Sequence, residues 1–158
     1  MTNTKIEIKN VKHNEYLSEE THCFDASLYF DGKRCATVSN RGHGGCNDYR
    51  IIDQNAYDAL NAHVKTLPQT EFGGKMFDED LDTVIGGLVN DFLIAKDFKR
   101  LKRTNAVCLN DNNQIVTTGY RGNVKPDQRL FDHCEKDGLI VLNNMPLNEV
   151  VELFKAAA

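Results

Sequence analysis

The stretch from Cys23 to Ser39 restricts the fold more than any other part of the chain. Phe24, Ala26, Leu28 and Phe30 alternate with Cys23, Asp25, Ser27 and Tyr29, the period-two pattern of a strand with one buried face. Asp31-Gly32 then supplies a tight hairpin turn, and Arg34 to Ser39 returns with Ala36 and Val38 facing the same core. Upstream, Thr4 to Lys12 alternates Ile6, Ile8 and Val11 with Lys5, Glu7 and Lys9, the pattern of an outer strand with a charged face. An antiparallel meander follows.

Beyond it the period changes. Ala56, Tyr57, Leu60, Val64 and Leu67 recur at helical spacing, with Asp53 as N-cap and Pro68 as the stop. Gln69 to Phe77 reads as an exposed connector with apolar pegs. A long helix then opens at Asp78 as its cap, carrying Leu81, Val84, Ile85, Leu88, Phe92 and Ala95 as its stripe. Lys96, Lys99, Arg100, Lys102 and Arg103 crowd its negative end, where they complement the helix dipole. Gly86-Gly87 costs this helix about 1 kcal/mol per glycine relative to alanine, and close packing against the sheet is the expected compensation. A second hairpin, Asn105 to Leu109 with Gln114 to Thr118, turns through Asn110-Asp111-Asn112-Asn113. Leu139 to Leu142 reads as a short strand, and Pro146 to Ala157 as a closing helix capped by Asn144. Runs of strands set apart from runs of helices predict one α+β domain over residues 1–158, with an antiparallel sheet built from hairpins and helices packed on one face.

At 158 residues the chain is long enough for a real core. Its 23 acidic and 19 basic side chains give a net charge of −4, which supplies no global basic field for nonspecific nucleic-acid binding. No apolar run approaches the roughly 20 residues of a membrane span, and the opening Met1-Thr2-Asn3-Thr4-Lys5 has no signal-peptide core. Five cysteines leave one over under any full pairing. Reduced thiols and a cytoplasmic address are the expectation.

Directly after the first hairpin comes Arg41-Gly42-His43-Gly44-Gly45-Cys46-Asn47. Glycines at this density free the backbone for positive φ and uncover its N–H groups, which can form an anion nest. Arg41 adds a fork for phosphate or carboxylate, His43 brings an imidazole, the side-chain type suited to acid–base work or metal ligation, and Cys46 can ligate or attack. Tyr120-Arg121-Gly122-Asn123 echoes the motif after the second hairpin, so Arg121 is a candidate second fork. The competing structural reading is that the glycines only turn the chain, with His43 and Asn47 capping backbone groups.

Three chemistries are open to these residues. Zinc would accept His22-Cys23, His43 with Cys46, or His133-Cys134, but adjacent strand residues point to opposite faces, and no Cys-x-x-Cys or His-x-x-His is present. Cys46 as a nucleophile, with His43 and glycine N–H groups, lacks an orienting third residue. Phosphate or nucleotide binding by Arg41 and the glycines departs from both the P-loop and the dinucleotide fingerprints. Glu19-Glu20 and Asp78-Glu79-Asp80-Leu81-Asp82 sit at a connector and a helix start, where solvated or capping roles are expected.

Lys5-Ile6-Glu7-Ile8-Lys9-Asn10-Val11, Ser18-Glu19-Glu20-Thr21-His22-Cys23-Phe24 and Gly42 to Asn47 are similar to a group of small uncharacterised proteins of bacteria and their phages. The resemblance covers the first third of the chain. It implies a source class and, by association, a binding role. The expectation is therefore a cytosolic, non-enzymatic accessory protein without a cofactor or metal. It would bind a host protein through a surface that includes loop 41–47; the alternative is a phosphate- or nucleotide-type small-molecule binder or enzyme at the same loop, and a zinc- or cysteine-dependent hydrolase is the third class.

Overall fold

In the computed structural model, which describes residues 5–158, the alternating segment at 23–30 is the second of four strands in one antiparallel sheet. These are β1 (Ile6–Asn14), β2 (Cys23–Phe30), β3 (Lys33–Arg41) and β4 (Asp48–Ile51), hydrogen-bonded in chain order. Thr4, where the first strand was expected to begin, lies outside the described residues. Asp31 (φ 47°) and Gly32 (φ 78°) both take positive φ, as a turn matched to strand twist requires. The register sets Ala26 opposite Val38, Leu28 opposite Ala36 and Phe24 opposite Asn40, so the alternating apolar set shares one face. β4 was not expected: the chain leaves the glycine loop into a strand before any helix begins.

The chain divides into two compact units, residues 1–89 and 90–158. In the first, α1 (Gln54–Val64) packs on β2 and β3 through Ala56, Leu60 and Val64. Asp53 caps it as expected, its carboxylate accepting from the Ala56 N–H at 2.9 Å. The stretch read as a connector is a small hairpin, β5 (Thr70–Phe72) and β6 (Lys75–Phe77), turning at Gly73-Gly74 with its apolar residues exposed.

Two expectations for α2 (Leu81–Leu101) need correction. Asp80, not Asp78, accepts from the backbone at its start, taking the Thr83 N–H at 2.7 Å, while Asp78 accepts from the Gln69 side chain. Gly86 and Gly87 are exposed, and a Cβ at either would meet nothing within 4 Å. Close packing is therefore not what offsets their low helix propensity.

The second unit holds the antiparallel sheet β8-β7-β9, from β7 (Ala106–Leu109), β8 (Ile115–Thr118) and β9 (Ile140–Val141). All four residues of β7 are buried. Val107 and Leu109 join Phe98, Leu142 and Val150 in one cluster, and Ala106 and Cys108 join Leu130 and Cys134 in another. Leu130 and Cys134 come from α3 (Gln128–Lys136), a helix the sequence reading lacked, capped by Asp127. Val150 comes from α4 (Leu147–Ala157), which begins after Pro146 without a side-chain cap, so Asn144 does not play that part.

The chain is thus an α+β protein of antiparallel hairpin sheets with helices packed on their strands. Among the described residues, no helix is long and apolar enough to cross a membrane.

Candidate functional site

Positive φ at Gly42 (88°), Gly44 (87°) and Gly45 (89°) bends the chain from β3 into β4, a path that only glycine follows without strain. Asn40, the last inward-facing residue of β3, holds this bend from beneath. Its Oδ1 accepts from the Gly42 N–H at 2.9 Å and from the Thr21 hydroxyl at 2.7 Å. Its Nδ2 donates to the Gly45 carbonyl at 3.3 Å and to Asn47 Oδ1 at 3.1 Å. The segment before β2 closes over the same bend, since the Gly42 carbonyl accepts from the backbone N–H groups of Glu19, Glu20 and Thr21. Asn40 is only 7% exposed, so this network replaces the water that its amide gives up.

A second anchor comes from the first turn of α2. Asp82 Oδ1 accepts from the Tyr49 hydroxyl at 2.6 Å and from Asn47 Nδ2 at 3.0 Å, and its Oδ2 takes the Asn47 N–H at 3.4 Å. Burial, followed by Asp82, pushes the Tyr49 phenol far above its ordinary value. That phenol is a permanent donor.

These bonds decide what the loop can offer. The Gly42, Gly44 and Asn47 N–H groups donate to Asn40, Thr21 and Asp82 respectively, so they face the protein and not an incoming anion. Carboxylates ring the loop. His43 Nδ1 lies 3.0 Å from Glu19 Oε2, and a Cβ at Gly44 would come within 2.5 Å of Glu20 Oε2. Cys46 is exposed, and a hydrogen bond to Asp82 raises its thiol above the usual range. His43 is thus engaged with Glu19, and Cys46 is held as the neutral thiol.

Arg41 ends β3 opposite Cys23, exposed, on the sheet face away from Asn40. Arg121 belongs to the second unit, exposed on the turn that follows β8, beside Gly122 at φ 86°. His133 faces solvent on α3 while Cys134 is 1% exposed, so neighbouring residues diverge there. Among the described residues, no three His, Cys, Asp or Glu side chains are placed to hold a metal ion.

Beneath the loop is a recess of about 220 Å³, lined by Thr21, Phe24, Asn40, Asn47, Asp82 and Val89, with His22, Gly45 and Gly86 completing it. Phe24 and Val89 are buried core residues, 5% and 0% exposed. No buried side-chain nitrogen or oxygen among the described residues lacks a hydrogen-bond partner. Thr21, Asn40, Asn47 and Asp82 are bonded to one another around it, and between them the recess presents the apolar surface of Phe24 and Val89.

The chain matches no protein-family model, no curated protein and no solved structure. Its function rests on this geometry.

Glycine density marks the loop in the sequence but does not mark the residues that fix it: Thr21, Asn40, Tyr49 and Asp82. One signal was present. Asn40 continues the phase of Ala36 and Val38, and a polar side chain at a buried strand position needs partners.

Proposed function

We propose that this protein acts by binding another protein, and that the recess beneath loop 42–47 receives an apolar side chain of that partner. The recess itself carries the reading. Its roughly 220 Å³ falls below the 300–1,000 Å³ of typical small-molecule sites, and it matches the scale of one anchoring side chain at a protein interface. Glu19 and Glu20 beside the loop favour a basic residue next to that anchor.

The competing chemistries have less support. Carboxylates around the loop oppose phosphate, and the raised Cys46 thiol opposes a cysteine nucleophile. The five free cysteines support a cytoplasmic address, and the resemblance of the first third supports a phage-type accessory protein whose partner is a host protein.

A block at Gly86 tests this. Gly86 lines the recess and has open space where a Cβ would stand, so Gly86→Leu fills the recess without straining the helix. Peptides selected from a random library on the wild-type chain, and counter-selected on the Gly86→Leu variant, are expected to share an apolar residue beside Lys or Arg. Peptides that bind both forms equally, or that are predominantly acidic, would overturn the proposal.

A further inference from the structure

The opposite face of the four-stranded sheet carries a different charge from the rest of the molecule. The register puts Lys9, Ser27, Thr37 and Arg50 in one cross-strand row, and Lys12, Asp25, Ser39 and Asp48 in the next. Tyr29 pairs with Glu7 and Arg34, and Cys23 with Arg41, on the same face. Glu7 is bound by Lys5 and Lys9, at 3.0 and 3.7 Å. Among the described residues, no ion pair engages Lys12, Arg34, Arg41 or Arg50. On a chain of net charge −4, this face has a cationic excess, even with Asp25 and Asp48 counted against it.

It is also concave. The pairing of β1 with β2 slips between Lys9 and Lys12, with Asn10 at φ 55°, and such a bulge bends a strand out of plane. A groove of about 390 Å³ lies there, with Asn10 and Lys12 on one wall, Thr37, Ser39 and the nearly buried Ser27 on its floor, and Asp25 among its lining residues. Lys9 and Arg50 stand three strand spacings apart, roughly 14 Å, with only small hydroxyl side chains between them.

We infer that this open sheet face docks an acidic segment of a partner protein, laid over the Thr37 and Ser39 hydroxyls between the cationic flanks. Charge complementarity selects this occupant. A single-stranded nucleic acid is held by aromatic platforms along a continuous cationic track. Here the Tyr29 ring is already covered by the Lys9 ammonium, 4.5 Å from its centroid, and Asp25 and Asp48 interrupt the track. A polypeptide sets its carboxylates individually, so it can meet the cations and avoid both aspartates.

The test uses the full chain labelled for amide NMR, with poly-L-glutamate, poly-L-lysine and oligothymidylate as probes. Poly-L-glutamate is expected to shift the amides of Ser27, Thr37 and Ser39, with an affinity that falls as salt rises. The exposed pair Arg34→Glu with Arg50→Glu should weaken it by about tenfold or more, with an otherwise unchanged spectrum confirming that the variant folds. Shifts confined to other surfaces, equal affinity in the charge-reversed variant, or oligothymidylate binding as tightly as poly-L-glutamate would each overturn the inference.

Discussion

The Tyr49 hydroxyl donates to Asp82 Oδ1 at 2.6 Å, tying the last strand of the first sheet to the first turn of α2. A bond to a charged acceptor contributes more than a neutral one. Tyr49→Phe is expected to cost about 1–2 kcal/mol. Asp82→Ala should cost more, about 2–3 kcal/mol, because it strips the acceptor from both Tyr49 and Asn47. The double variant should fall short of the sum, since both changes break one network. Urea unfolding of the four forms reads this directly, and additive effects would show the two residues to be independent.

The same carboxylate holds the Cys46 thiol above its ordinary value, by hydrogen bond first and by charge second. Asp82→Asn removes the charge, so the thiol falls back toward the normal range and more of it is thiolate at a given pH. Iodoacetamide should therefore alkylate Cys46 faster in Asp82→Asn than in wild type near pH 8, with the difference vanishing well above the thiol's own range. Mass mapping separates Cys46 from Cys108, whose burial and contact with Cys134 push its thiol up to about 12.

Glycines that look alike in the loop differ in what surrounds them. A Cβ at Gly42 would lie 2.0 Å from the Leu17 carbonyl oxygen, a backbone atom that cannot step aside, whereas at Gly45 nothing stands within 4 Å. Both have φ near 90°, so both substitutions carry backbone strain of about 1–2 kcal/mol. Gly42→Ala should lose several kcal/mol in total and Gly45→Ala only that strain. Comparable losses in thermal unfolding would mean that the contact with Leu17 is not maintained.

How far the sequence reaches can be seen in particular segments. β2 and β3 were legible because alternation over eight or nine residues has no helical counterpart. β4 was not, since Asp48-Tyr49-Arg50-Ile51 offers only two apolar positions and the sheet supplies the rest of its definition. α3 escaped because Leu130, Phe131 and Cys134 lie among charged residues, although Pro126-Asp127 ahead of them is a usable start signal. At the site, glycine density marked the loop. Asp82, however, sits at a helix start, where a solvated or capping role is expected; its bonds to Asn47 and Tyr49 span 35 and 33 positions and leave no local trace.

Gly86 and Gly87 have open space where a side chain would stand, so alanine at either site meets no clash. Each substitution should stabilise the protein by up to about 1 kcal/mol through helix propensity alone. Thermal unfolding checks this. A loss at Gly86 would show that a methyl group on the wall of the recess meets the side opposite.

Acid should weaken the helix starts together. Asp53 is held below the usual carboxylate range by Lys33 first and then by the Ala56 N–H; Asp80 by the Thr83 N–H; and Asp127 by the Tyr120 hydroxyl first and then by the Leu130 N–H. A carboxyl whose folded pKa lies below its unfolded value of about 3.9 binds fewer protons when folded. Its contribution is complete above the unfolded value and is lost as pH falls through the folded one. These three groups should therefore leave stability flat between about pH 5 and 7 and steepen its decline below about pH 4. Asparagine retains the capping oxygen but has no proton to bind. A variant combining Asp53→Asn, Asp80→Asn and Asp127→Asn should thus show a shallower acid limb in urea unfolding across this range. An unchanged slope would place the acid sensitivity in other carboxylates.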